Sequence, residues 1–376
     1  MPGRRPIAAV VTAMVLSVAA VALPAAAQEP GVGPGAFAAA GTLGVARVGH
    51  SATLLPDDRV LVAGGADLGA ATYLASVETW DPVAAAFTPA GDLAASRGGH
   101  TATLLPDGRV LLVGGGTGEM APNQLVADAE VWDPATATSE PAGTLDRPRT
   151  LQTATLLADG RVVIVGGFDA SDGSIVTRSR IEIWDPATGA FSSAGALGQA
   201  RYSHTATMLA DGRVLIAGGV TQDGDDYQLL ATTEIWDPAS MTTSVGPTMV
   251  EGHGNHTTTL LADGRILVIG GLRSQTEFAG AEILDPVTGT FASTGEPGAR
   301  RVFHSATQVP DGRVLVIGGR DATATTGTTE LWNRIAGTFG AAASLSTMRD
   351  FHSATLLADG RVLVVGGVPE AEVWAP

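Results

Sequence analysis

A sixteen-residue phrase returns seven times along the 376-residue chain. In its cleanest copy, His204 to Gly219, it reads HTATMLADGRVLIAGG. Asp211-Gly212 is a two-residue hairpin signal between a Thr-rich run and an apolar run that stops at Gly218-Gly219. A third short strand, TTEIWDP, follows at Thr232 to Pro238, and Asp-Pro ends it. No capped helix with a 3.6-residue stripe appears. The anchor positions are His50, His100, Gln152, His204, His256, His304 and His352, at spacings of 50, 52, 52, 52, 48 and 48 residues. A unit of this size cannot bury its own faces, so the copies must pack on one another.

The ends of the chain decide how. Phe37, Phe87, Phe191, Phe291 and Phe339 each lie thirteen residues before the next anchor and begin a run of small residues, a fourth strand. The seventh unit stops at Pro376 after its third strand, while the first piece of the chain, from Phe37 to Leu43, is a fourth strand with no unit before it. The predicted fold is therefore all-β: a seven-bladed β-propeller of four-stranded antiparallel blades, its last blade closed by the N-terminal strand. The Gly-Gly pair after the second strand, the aromatic at the end of the third and the Phe of the fourth resemble the kelch repeat family of β-propellers. That resemblance covers about residues 35–376 and implies fold more than activity.

Three segments are expected: a secretory signal peptide over 1–27, a short segment over 28–34, and one propeller over 35–376. Arg4-Arg5, the apolar stretch Ile7 to Leu23 and Ala25-Ala26-Ala27 carry the first of these. They imply a secreted or periplasmic protein with no membrane span after cleavage. The chain has no Cys and no Lys, and its formal net charge is −16. Such a surface repels nucleic acid and anionic membranes.

The repeated polar residues read as parts of the blade. Six His at one position of a rotating unit fall on separate blades and do not converge on one ion. Gln152 fills the seventh place, and it cannot do imidazole chemistry. The series Glu78, Glu130, Glu182, Glu234, Glu282, Glu330 and Glu372 sits in the third strands, where both faces are packed. A buried carboxylate there needs a partner. Two Arg series could supply it: the one before each anchor (Arg47, Arg97, Arg149, Arg201, Arg301, Arg349) or the one after each hairpin turn. His253 stands where the first series is interrupted. No catalytic, cofactor-binding or metal-binding residue is assigned, and no cofactor is expected.

Specificity is expected in the variable loops between second and third strands. The candidate ligand-binding residues are Asp169, Asp172, Arg178 and Arg180 on one loop, Asp223, Asp225, Asp226 and Tyr227 on the next, and His253. The function expected from this is a non-catalytic exported scaffold that binds a glycan or an extracytoplasmic protein. The alternative is a sugar epimerase or mutarotase with a central-channel site. Kelch-like enzymes also include the galactose oxidase class, whose copper radical site needs a Tyr–Cys thioether. A chain without Cys cannot form it.

Overall fold

The computed structural model describes residues 33–376, apart from 121–123, 171–173, 224–225, 275 and 322. Residues 1–32, with the expected signal peptide, lie outside the described residues. Among the described residues every regular element is a β-strand, and no helix is long and apolar enough to cross a membrane.

Seven four-stranded antiparallel sheets follow one another around an axis. Blade one uses Ser51–Leu54, Val60–Ala63, Ser76–Asp81 and Ala86–Asp92. Blade seven uses Ser353–Leu356, Val362–Gly366 and Val368–Ala375, and its fourth strand is Ala36–Thr42 from the other end of the chain. The closing register runs Ala36↔Ala375, Phe37↔Trp374, Ala38↔Val373 and Ala39↔Glu372. The missing and the orphan strand thus complete each other.

The second strands are the dry middle of each blade. Val60, Leu61, Val62 and Ala63 are all buried, because one face meets the preceding blade and the other the following blade. Val60, Val62 and Trp80 pack on Leu363 and Val365 of blade seven, whereas Leu61 and Ala63 pack on Val110 and Leu112 of blade two. This is why these strands are continuous apolar runs and do not alternate. In most blades a Trp of the third strand bridges the same seam: Trp80 Nε1 donates to the Ala40 carbonyl at 2.7 Å and Trp184 Nε1 to Ala142 at 2.8 Å, whereas blade five has Leu284 there and Trp332 Nε1 of blade six is buried without a partner. The Phe series lies directly across from it, with Phe37, Phe87 and Phe191 opposite Trp374, Trp80 and Trp184. The Gly-Gly pairs mark where blades come closest. A Cβ on Gly64, at φ +61°, would stand 2.4 Å from the Arg97 carbonyl of the next blade.

The innermost strands surround a central channel. At its mouth the residue before each anchor has a left-handed backbone: Gly49, Gly99, Leu151, Ser203, Asn255, Phe303 and Phe351. Backbone N–H groups link most of them in succession, Gly99 to Gly49 at 2.8 Å, Ser203 to Leu151 at 3.1 Å and Asn255 to Ser203 at 3.1 Å. A bulky L-residue is strained there by about 1–2 kcal/mol. Leu151 is 39 % exposed and has little burial to lose. Leu151→Gly is therefore expected to stabilise the protein by up to about 1 kcal/mol, after the entropy cost of glycine. Urea denaturation checks this, and a loss of stability would show that the strain is not released.

Candidate metal centre

The buried Glu of each third strand takes its partner from the Arg before the anchor. Arg47–Glu78, Arg97–Glu130, Arg201–Glu234, Arg301–Glu330 and Arg349–Glu372 meet at 2.5–2.9 Å, and Arg149–Glu182 is the sixth such pair. The other Arg series is used up locally, each Arg closing on the Asp of its own turn, as Arg213 does on Asp211 at 2.7 Å. The buried pair also pins the loop entering its blade. Arg201 donates to the Gly218 carbonyl, seventeen residues on, at 2.8 Å, and to Thr232 O at 2.9 Å. Glu234 in turn accepts from the Gly198 and Gln199 N–H groups.

The repeated histidines complete the seams. His100 Nε2 meets Ser51 Oγ of the preceding blade at 2.9 Å, and His256 Nε2 meets Thr205 Oγ1 at 3.0 Å. Burial first, and then the adjacent Arg, pushes His50, His100, His204, His304 and His352 down to about 3. They are neutral at physiological pH and bond across the seams between blades.

Blade five breaks this scheme at several linked positions. His253 replaces the Arg and takes over its bond to the carbonyl seventeen residues on. Its Nδ1 lies 2.7 Å from Gly270 O, and a carbonyl only accepts, so Nδ1 carries a proton. The ring is thereby oriented with Nε2 3.0 Å from Glu282 Oε1. Glu282 is fixed from behind by the Val250 and Glu251 N–H groups at 2.7 and 2.8 Å. A second carboxylate, Glu251, then joins the pair, and ligand atoms of Glu251, His253 and Glu282 lie within 4.8 Å of one another. Among the described residues this is the one cluster of three or more such groups that close.

Beside Glu251, just before the third strand, stands Gly280, which has no hydroxyl to offer. The equivalent residues, Ser76, Thr232 and Thr328, each accept a bond from the Arg with their hydroxyl. A Cβ on Gly280 would make ordinary contacts with Glu251 Oε1 at 3.5 Å and Glu296 Oε2 at 3.4 Å. The Gly280 N–H donates to Glu251 Oε1 at 2.6 Å, and Arg273 reaches Glu251 Oε2 at 3.1 Å. Burial opposes ionisation of Glu251, but the Gly280 N–H, Arg273 and His253 together hold its carboxyl below the usual range. His253 and Glu282 are buried, whereas the Glu251 side chain is 23 % exposed. The cluster therefore opens to solvent on the Glu251 side.

The donor set is one imidazole and two carboxylates, with the far imidazole nitrogen held by a backbone carbonyl. That is how proteins present Nε2 to a first-row divalent ion. Six blades place a fixed guanidinium charge beside the buried Glu. Here a carboxylate-bound cation or a proton must supply it, since a buried carboxylate needs compensation.

The loop residues named from sequence lie elsewhere. Asp169, Asp223, Asp226 and Tyr227 belong to a four-stranded sheet over blades three and four, made from Phe168–Asp169, Val176–Thr177, Val220–Asp223 and Asp226–Leu229. Asp169 is buried and pairs with Arg178. Arg180 sits in the third strand of blade three, with Nε 2.9 Å from Asp146 Oδ2. Asp172 and Asp225 lie outside the described residues. His253 is not on this sheet. Glu251, Glu282 and Gly280 were not named from sequence as a site. The sole signal was that His253 interrupts an Arg series.

A comparison with protein-family models finds no match, and no curated protein matches the sequence. Solved structures do match. One is a fungal alcohol oxidase of the AA5 family in complex with copper, 18 % identical, with a TM-score of 0.72 over 91 % of this chain and 76 % of that one. At this identity the likeness establishes the fold alone. The expected non-catalytic scaffold is corrected on this finding: the similar propeller is an alcohol oxidase in complex with copper, so the fold does not imply a scaffold. The physical reason for the error is that repetition accounted for nearly every polar residue, and the non-repeating cluster of blade five is formed only by folding.

Proposed function

We propose that this chain is a metal-dependent enzyme of the oxidase type, with its metal held by Glu251, His253 and Glu282. The carrying observation is the exchange of the repeated Arg for His253, oriented by Gly270 O towards two carboxylates. The copper of the similar alcohol oxidase supports the class of chemistry. Nitrogen and oxygen donors of this kind suit Cu(II), and copper binds such sites more tightly than its first-row neighbours. A thioether radical cofactor does not fit, because the chain has no Cys. None of its three tyrosines belongs to blade five. Tyr73 packs at Gly98 and Gly116, Tyr202 bonds Gln222, and Tyr227 is in the loop sheet. A bound redox ion would supply Lewis acidity and one-electron chemistry. The protein's own part is to fix the imidazole tautomer through Gly270, to hold Glu282 on two backbone N–H groups, and to leave Glu251 at the solvent side. We further propose that the repeats are a divergent kelch form and that the protein is exported.

His253→Arg tests this without breaking the blade, since it restores the residue the other six blades carry. Calorimetric titration of chelator-treated protein with Cu²⁺ is expected to show one equivalent bound by the parent. In His253→Arg the affinity should fall roughly 100-fold or more, with the melting temperature preserved. Peroxide release from primary alcohols by the copper-loaded parent, absent in the variant, checks the oxidase assignment. Equal copper uptake by both proteins would sink the site.

A further inference from the structure

The central channel has its own departure from the repeat, in different blades. At six seams a His Nε2 meets a Ser or Thr hydroxyl of the preceding blade, as His204 meets Thr153 at 2.9 Å and His304 meets Thr257 at 2.9 Å. The seam between blades two and three has Gln152 and Thr101 at these positions. Gln152 Nε2 turns away and donates to the Val113 carbonyl at 2.8 Å. Gln152 Oε1 and Thr101 Oγ1 are then buried without a hydrogen-bond partner. Gln152 is only 5 % exposed. An unsatisfied buried acceptor and an unsatisfied buried hydroxyl are costly, and groups in these positions normally have a partner.

Both residues line an open cavity of about 370 Å³ in the channel, with Ala102, Thr153, Thr205 and Thr258. Thr258 is itself an exception. The other six blades have Ala at that position, and its hydroxyl bonds Thr205 Oγ1. The wall is therefore rich in hydroxyls on this side. The titratable residue lining it, His204, is held neutral by burial, pushed down to about 3.

We infer that this side of the channel is a binding site for a small neutral polyol. The match is chemical. Both atoms are enclosed in this structure, so the two side chains part for a ligand hydroxyl to donate to Gln152 Oε1 and accept from Thr101 Oγ1, while a neighbouring hydroxyl on the same molecule meets the threonine side chains that line the cavity. A charged ligand would lose its hydration beside a wall with no compensating charge. This site is independent of the metal centre.

Saturation-transfer NMR with erythritol as the probe tests it, on the parent and on Gln152→His, which restores the repeated seam. The parent should show transfer to erythritol. Gln152→His should melt at or above the parent temperature and bind roughly tenfold more weakly, because the seam hydroxyl is then taken by the imidazole. Thr258→Ala, the repeat residue, should weaken binding as well. The absence of transfer in the parent would overturn the site and leave the two oxygens to water. Undiminished binding by Gln152→His would also overturn it, since the ligand would then sit elsewhere.

Discussion

Glu234→Ala is expected to lower the free energy of unfolding by about 3–5 kcal/mol. Arg201 is fully buried and meets Glu234 at 2.9 Å. Removing the carboxylate leaves a guanidinium out of water with neutral partners alone, backbone carbonyls and the Thr232 hydroxyl. It also strips the Gly198 and Gln199 N–H groups of their acceptor, at 2.6 and 3.0 Å, and these hold the loop entering blade four. The comparison with Glu182→Ala sharpens the test. Arg149 keeps a second carboxylate, Asp146, at 2.5 Å, and Asp146 is partly exposed and already ionically engaged. Glu182→Ala should therefore cost at least about 1 kcal/mol less than Glu234→Ala, the difference being one charge-assisted hydrogen bond retained. Urea denaturation of both variants measures this. A loss below about 1 kcal/mol in Glu234→Ala would mean that the buried pair merely balances its own desolvation and that water reaches Arg201 once Glu234 is gone.

Periodicity made the blades legible because every blade solves the same packing problem. The apolar second strands, the Trp seam and the closing strand at Phe37 could all be placed from sequence, since each is fixed by its position in the repeat. The partner of the buried Glu could not. Two Arg series had the right period, and the choice between them rests on geometry, because Asp211 captures Arg213 before it can reach inward. The candidate site was less legible still. His253 was visible as an interruption, but Glu251 lies 31 residues before Glu282 and repeats nowhere, and Gly280 contributes through its backbone N–H, which no side-chain pattern signals. The loops failed for a related reason. Val176 pairs with Asp223 across two blades, and no local pattern in either loop encodes that pairing.

Removal of residues 1–43 should be the most damaging change of all, because it reopens the ring. The strand Ala36–Thr42 pairs with Val368–Ala375 over the register from Ala36↔Ala375 to Thr42↔Glu370. It also buries Ala40 and Leu43 in the core shared by blades seven and one. The Ala40 carbonyl is the acceptor of Trp80 Nε1. At about 1 kcal/mol for each hydrogen bond and 1.5–3 kcal/mol for each large apolar side chain, the loss exceeds about 5 kcal/mol, comparable to the whole stability of many domains. The apolar strand Val368–Ala375 would then be an uncovered edge, which templates association. The truncated chain is expected to aggregate or to melt at least roughly 10 °C lower. A synthetic peptide spanning 33–44, added in excess, should recover part of that loss, because a segment that binds only the folded state stabilises it by mass action. Phe37→Ala in the full chain should be much milder, since the backbone ladder and Ala40 remain. A truncated chain that stays monomeric and melts with the parent would mean that the six complete blades close without this strand. The circular packing of blade seven on blade one would then contribute almost nothing.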